Sequence, residues 1–342
     1  MKRFNTPVIR ILYIIIPLIL FSTCGKPGQG KKTGEQLSDG SSLGLEGKTI
    51  GLSMYTLSAP YFMALAKSLE EQVKSLGMDF IFMDAQDDIL RQVGTVEDLL
   101  VQGIDLLILN PLDPHALVMA TKSATRANVP VIIIDSSIDP GADFITTIQS
   151  NNLRNGELVG EWLVKEMGDT PIKAAVLSGA QGNPVGKERR QGLFRGIIEQ
   201  QFRTFGKASV DLVAQGWGNW TYEGGLTAME DMLVAHSDIN VLLSEQDAMA
   251  MGALKAITEA GKKDDILIVA AADGQKEAFG LIMKGEYGAT GLNDPVLISE
   301  MAVEIACKVL SGETSFPKVI HTPAVCVSKE NVDDFYDPDA IF

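Results

Sequence analysis

Histidine is nearly missing from this 342-residue chain: His115, His236 and His321 are the whole complement. They lie far apart, without the short spacing that gathers ligands onto one metal ion, so no metal site and no cofactor are expected. Cysteine is as scarce, with Cys24, Cys307 and Cys326 alone. Cys307 in "EIACKVL" and Cys326 in "PAVCVS" are flanked by apolar residues, as buried free thiols are. Sequence alone leaves a disulfide between them open. Positive charge is also short, 29 Lys and Arg against 44 Asp and Glu for a net charge of −15. Such a surface repels nucleic acid and anionic lipid, and excludes a nucleic-acid partner.

The sequence further lacks an apolar run of the ~20 residues that a spanning helix needs. The one apolar stretch, "ILYIIIPLILFSTC", is broken by Pro17, preceded by Lys2, Arg3 and Arg10, and closed by small residues and Cys24. That is the layout of an export signal, residues 1–23. "LFSTC" resembles a bacterial lipobox, which implies that Cys24 is lipidated and becomes the first mature residue. Phe21 stands where that motif prefers an aliphatic side chain. Loss of the three leader charges takes the net charge from −15 to about −18. Residues 24–46, rich in Gly, Ser and Lys, read as a flexible tether. "GKPGQGKK" within it is no phosphate cradle, because no strand precedes it and Lys32 replaces the Ser or Thr.

From Lys48 onward, β-rich runs alternate with amphipathic helices. "TIGLSMY", "DFIFMDA", "DLLILN", "VPVIIID" and "FITTIQS" form a first round; "KAAVLSG", "SVDLVAQ", "INVLLSE", "ILIVAAAD" and "YGATGLN" form a second. Such alternation predicts parallel sheets covered by helices on both faces, hence an α/β protein of two similar doubly wound lobes. The rounds correspond in detail: third strands end in "LNPLD" and "LSEQD", fourth strands in "IIIDSS" and "AAADGQ". Ligands of open parallel sheets meet the carboxyl ends of strands, so facing lobes would converge on one cleft with Asp135 and Asp273 as counterparts.

The residues at those ends are Tyr61 and Phe62 after the first strand, Asn110, and Asp135; then Arg189, Trp220, Gln246, Asp273 and Asn293. Aromatic faces suit the C–H faces of a sugar, while carboxylate, amide and guanidinium groups suit hydroxyls that both donate and accept. Taken singly, each has a plainer reading: Asp135 and Asp273 as helix caps, Asn110 before Pro111 as turn chemistry, Arg189 on a solvated helix face, Trp220 as core. The set contains no His, no Cys and no nucleophile–base pair. A glycosidase would need a carboxylate pair with one raised pKa. Arg189 and the amides are expected to keep both acids ionised, so no enzyme is expected.

From Lys48 to about Val327 the chain resembles the periplasmic sugar-binding proteins of the ribose/galactose type. The stretches are "KTIGLSMYTLSAPYFMALAKSLEEQVKSLG", "DAQDD", "VEDLLVQGIDLLILNPLDPHAL", "ANVPVIIID", "EQDAMAMGALKAI" and "GLNDP". The resemblance implies two lobes, 47–150 plus 294–321 and 151–293 plus 322–342, joined by a three-segment hinge and closing on one monosaccharide. It implies stacking by Tyr61 and Trp220, with Phe62 as a second aromatic. Hydroxyl contacts fall to Asn110, Asp135, Arg189, Asp273 and Asn293, with Gln246 where the family usually has Asn. Ser136 replaces an Arg of ribose binders and Ala59 a polar residue. "KEMGDTPIKAA" lacks the calcium loop of the glucose/galactose type.

The expected protein is therefore a monomeric, exported lipoprotein of the periplasm or cell surface, touching membrane only through its lipid. It would deliver a pentose, hexose or polyol to an ABC importer permease, with a chemoreceptor as a further partner. The alternatives within the fold are an autoinducer or nucleoside binder. A repressor core would need a DNA-binding headpiece where this chain has its leader and tether.

Overall fold

The computed structural model describes residues 44–342. The leader, Cys24 and nearly all of the tether therefore lie outside the described residues.

Two six-stranded sheets organise the molecule. The first holds β1 (Thr49–Met54), β2 (Asp79–Asp84), β3 (Leu106–Asn110), β4 (Val131–Ile134), β5 (Thr146–Gln149) and β11 (Val319–His321), in the order β11-β5-β4-β3-β1-β2. The second holds β6 (Ile172–Ser178), β7 (Val210–Trp217), β8 (Val241–Ser244), β9 (Leu267–Asp273), β10 (Ala289–Leu292) and β12 (Cys326–Ser328), in the order β12-β10-β9-β8-β6-β7. Pairings are parallel throughout except β10 with β12. β3 (LLILN), β4 (VIII) and β8 (VLLS) are buried at every position, the continuous pattern of strands covered on both faces.

Helices on the first sheet are α1 (Pro60–Ser75), α2 (Ile89–Val101), α3 (Val118–Arg126) and, from late in the chain, α9 (Pro295–Leu310). Those on the second are α4 (Asn152–Met167), α5 (Pro184–Phe205), α6 (Tyr222–Ala235), α7 (Asp247–Glu259) and α8 (Lys276–Lys284). Their starts are written locally. Pro60, Pro184 and Pro295 occupy first turns, where a missing N–H costs nothing. The side chains of Asp88, Asn151, Asn183, Thr221 and Asp294 each accept an N–H from their helix's first turn. α4 and α5 pack with backbones nearly touching: a Cβ on Gly156 would lie 2.5 Å from the Arg189 carbonyl, and one on Gly196 would lie 2.1 Å from that of Glu157. This close approach fixes Arg189 against the start of α4.

The chain passes between sheets after β5, after β10 and after β11. Buried Asn155 ties these passages together. Its Nδ2 donates to Leu292 O at 2.7 Å and to Ser150 Oγ at 2.9 Å, and its Oδ1 accepts from Val325 N at 3.1 Å. Neither Cys307, in the first lobe's core, nor Cys326 forms a disulfide. Burial pushes the Cys326 thiol up to about 12, consistent with an inert structural cysteine.

Candidate functional site

Each sheet reverses its winding beside its first strand, between β1 and β3 and between β6 and β8. Ligands of open α/β sheets bind at such switch points, outside the carboxyl ends of the strands. Tyr61 and Asn110 sit at the first of these points; Arg189 and Gln246 sit at the second.

On the first lobe, Tyr61 is 6% exposed despite following a proline at the helix entrance. Its hydroxyl donates to Asp135 Oδ1 at 2.7 Å and lies 3.3 Å from Asn293 Oδ1. Asn110 Nδ2 donates to Asp135 Oδ2 at 3.2 Å and to Ile134 O at 3.1 Å. Asn110 is itself placed by buried Gln92, whose Nε2 donates to Asn110 O at 2.7 Å and whose Oε1 accepts from Leu112 N. Phe62 is half-buried and meets Tyr61 edge-on at 5.2 Å. Asp135 has a left-handed backbone (φ 62°), which an Asp tolerates. The N–H of half-buried Ser136 folds back to Ile134 O at 2.6 Å.

On the second lobe, Arg189 reaches inward from the second turn of α5. Its Nη2 pairs with Asp273 Oδ1 at 2.8 Å, its Nε donates to Asn152 Oδ1 at 2.9 Å, and its Nη1 donates to Glu245 O at 3.2 Å. Half-buried Trp220 lies with its ring centroid 5.9 Å from the guanidinium carbon. It packs onto Gly179, where a Cβ would meet the ring at 2.2 Å. Trp217, the other aromatic of "GWGNW", points outward and is 39% exposed. Asn293 Nδ2 reaches Asp273 Oδ1 at 3.4 Å. A continuous polar chain thus runs Asn110–Asp135–Tyr61–Asn293–Asp273–Arg189, from one sheet to the other.

The plainer readings of the two acids do not apply. Neither Asp135 nor Asp273 caps a helix: α8 has Gln275 at its cap position, and no helix separates β4 from β5. The backbone after β9 is held by Asp247, whose Oδ2 accepts the N–H groups of Asp273, Gly274 and Gln275 at 2.7–3.1 Å. Asp247 Oδ1 takes the Tyr287 hydroxyl at 2.8 Å. Asp247 therefore supports the site instead of facing it.

Burial pushes the Asp135 carboxyl above its ordinary range, against hydrogen bonds from Tyr61 and Asn110 and the more distant Arg189 charge. Arg189 gives its close contact to Asp273, so at Asp135 burial outweighs its more distant charge. Tyr61 is pushed well up by burial and by Asp135, so it stays a donor. Three amide oxygens among the described residues, Asn110 Oδ1, Gln246 Oε1 and Gln275 Oε1, are buried with no hydrogen-bond partner. Asn110 ends β3 on the first lobe, while Gln246 and Gln275 lie two residues beyond β8 and β9 on the second.

Sequence reading missed Tyr55, which meets Phe62 edge-on at 4.8 Å, and the buried supports Gln92, Asn152 and Glu245. Tyr55 carried a signal, since it directly follows β1. It also missed Phe342, whose ring meets Tyr61 at 5.3 Å. Nothing in the local sequence pointed from residue 342 to residue 61.

Known proteins resemble this chain in sequence and fold. A family model described as a periplasmic binding protein domain matches residues 50–314. The ribose import binding protein of Bacillus subtilis is 38% identical over 275 residues, covering 80% of this chain and 85% of that protein. A periplasmic solute-binding protein of an ABC transporter from Actinobacillus succinogenes, solved with bound D-allose, aligns with TM-score 0.77 at 27% identity, over 84% of this chain and 99% of that one. The arabinose ABC transporter component of Shewanella sp. ANA-3, bound to L-arabinofuranose, aligns with TM-score 0.76 at 28% identity, over 84% and 94%. The chain belongs to the periplasmic binding protein family, as a sugar-binding protein of the ribose/galactose type.

Proposed function

We propose that this protein captures one monosaccharide, a pentose, hexose or related polyol, between its lobes and delivers it to the permease of an ABC importer. The observation that carries the reading is the set of buried, unpartnered acceptors at carboxyl strand ends of both lobes, Asn110 Oδ1 on the first and Gln246 Oε1 and Gln275 Oε1 on the second. An unmade hydrogen bond in a buried site costs ~1–3 kcal/mol, so each amide is a place for a ligand hydroxyl to donate. Asp135, Arg189, Asp273 and Asn293 would hold further hydroxyls. Tyr61, Phe62 and Trp220 would cover the C–H faces, and Ser136 would line the first-lobe side. The named relatives, which include binders of ribose, D-allose and L-arabinofuranose, support this ligand class.

The mechanism follows from the architecture. Ligand bridging the lobes stabilises their closed arrangement by its differential affinity, and the permease reads that arrangement. The lobes would divide at the three passages near residues 150, 293 and 321. No bond of the ligand changes, so the role is binding, not catalysis. We further infer that Cys24 carries the lipid that keeps the monomer at the membrane, and that a chemoreceptor is a second partner for the closed form. A thermal-shift screen across pentoses, hexoses, polyols and nucleosides tests the ligand class, because a ligand stabilises in proportion to ln(1 + [L]/Kd). A shift with nucleosides alone would overturn it.

A further inference from the structure

The three covalent passages are not the whole connection between the lobes. After β12 the chain forms a short 3-10 turn (Val332–Asp334), and Phe335 and Tyr336 pack on the second lobe's core. Lys276, the first residue of α8, donates through Nζ to the Ala340 carbonyl. Two residues later the same segment reaches the other lobe: Phe342 packs against the first lobe's core, its ring edge-on to Tyr61 at 5.3 Å and 78°. Tyr61 is the residue whose hydroxyl meets both Asp135 and Asn293. Lys276 starts its helix three residues after Asp273. Residues 335–342 therefore run from the second lobe's core, past the start of α8, to the central aromatic of the first-lobe side of the site.

We propose that this segment is a strap between the lobes, and that Phe342 is an affinity-determining residue of the ligand site, acting through Tyr61. Two physical effects follow from the contacts. The strap joins the lobes without passing through the hinge, so it favours their closed arrangement and slows ligand escape. Phe342 also holds the Tyr61 ring from one side while Phe62 holds it from another at 5.2 Å, which fixes the plane on which a ligand's C–H face would stack. This inference rests on the proposed sugar site, but its first test does not.

The experiment compares the wild-type chain with Phe342→Ala, Phe342→Trp, Lys276→Ala and the Phe342→Ala/Lys276→Ala double variant. Spin labels, one on each lobe's outer surface, report the interlobe distance without added ligand. The strap predicts that Phe342→Ala broadens the distribution toward longer distances and Phe342→Trp retains it. An unchanged distribution in Phe342→Ala overturns the strap whether or not any sugar binds.

With the best ligand of the thermal-shift screen, Phe342→Ala should weaken affinity about three- to tenfold, the usual worth of an aromatic pair. The loss should fall mainly on the dissociation rate. Lys276→Ala should weaken it less, and the double variant should be no worse than the sum of the two. A Phe342 that merely fills the core would lower the melting temperature and leave affinity within twofold, and that result would refute its part in binding. A wild-type protein that answers no sugar refutes the proposed function instead, leaving the spin-label result to decide the strap.

Discussion

The Arg189 guanidinium and the Asp273 carboxylate sit 2.8 Å apart, each about 5% exposed, within the second lobe. Removing one partner of such a buried pair strands the other charge, which typically costs ~3–5 kcal/mol, whereas exposed ion pairs are worth under ~1 kcal/mol. Asp273→Ala and Arg189→Ala should therefore both lower stability in urea by several kcal/mol and abolish ligand binding. Asp273→Asn keeps an acceptor for Arg189 and should fold better than Asp273→Ala while still binding poorly. Equal stability of Asp273→Ala and wild type would mean that the pair contributes nothing to the fold.

Asp135 leads to a pH dependence with a defined sign. Its folded pKa is raised, chiefly by burial, so the folded state holds this proton more tightly than the unfolded chain. The resulting stability is fully present below the ordinary carboxylate pKa of about 3.9 and is lost as pH rises through the raised value. Ligand hydroxyls donate to the ionised form, so binding pulls in the opposite direction. Affinity should climb as pH rises through the raised Asp135 value and level off above it, a step to which Tyr61 does not contribute because it keeps its proton. Titration calorimetry over a pH series that starts near the ordinary carboxylate pKa of about 3.9 and rises from there would show the climb. The same series on Asp135→Asn should be weaker and flat over this step; a climb that persists there would assign it to another group.

Much of this was legible before the fold was known. The alternation of β-rich runs with helices gave all of β1 to β10. The central ones, such as β3, β4 and β8, stood out because strands buried on both faces read as unbroken apolar runs, while the less buried edge strands β2 and β7 followed from their place in the cycle. The candidate site residues could be picked out because they are polar or aromatic and stand at the carboxyl ends of apolar strands. β11 and β12 were not, each having three residues with no pattern of its own. α4 and α9 begin just after the chain changes lobe, and the repeating pattern offered no slot for them. Gln92 was hidden for a different reason. Its partner is a backbone group eighteen residues along the chain, which composition and spacing do not record.

Asn155 is the third lever. Its side chain bonds Ser150 at the first passage, Leu292 at the second and Val325 just beyond the third. Asn155→Leu removes all three bonds and leaves buried donors and acceptors unpaired, at ~1–3 kcal/mol each. The expected result is a large loss of stability together with altered closure, read as a changed scattering profile with and without ligand. Asn155→Asp keeps the acceptor for Val325 N and should recover part of the stability. If Asn155→Leu lost stability yet closed normally, the residue would be core packing only.

Gln246 separates binding from folding most cleanly. Its Oε1 is buried with no partner, while its backbone carbonyl accepts from Ser244 Oγ at 2.7 Å. Gln246→Met keeps length and volume and replaces the unsatisfied amide with an apolar group. A residue retained for stability would lose stability on this change. One retained for a ligand should leave the ligand-free protein as stable as before, or more so, because a buried unpaired acceptor is removed. Affinity should fall about five- to hundredfold, the worth of one well-placed hydrogen bond to a buried hydroxyl. Melting curves without ligand and calorimetry with it report the two quantities separately. A Gln246→Met protein that melts lower and binds unchanged would remove Gln246 from the site.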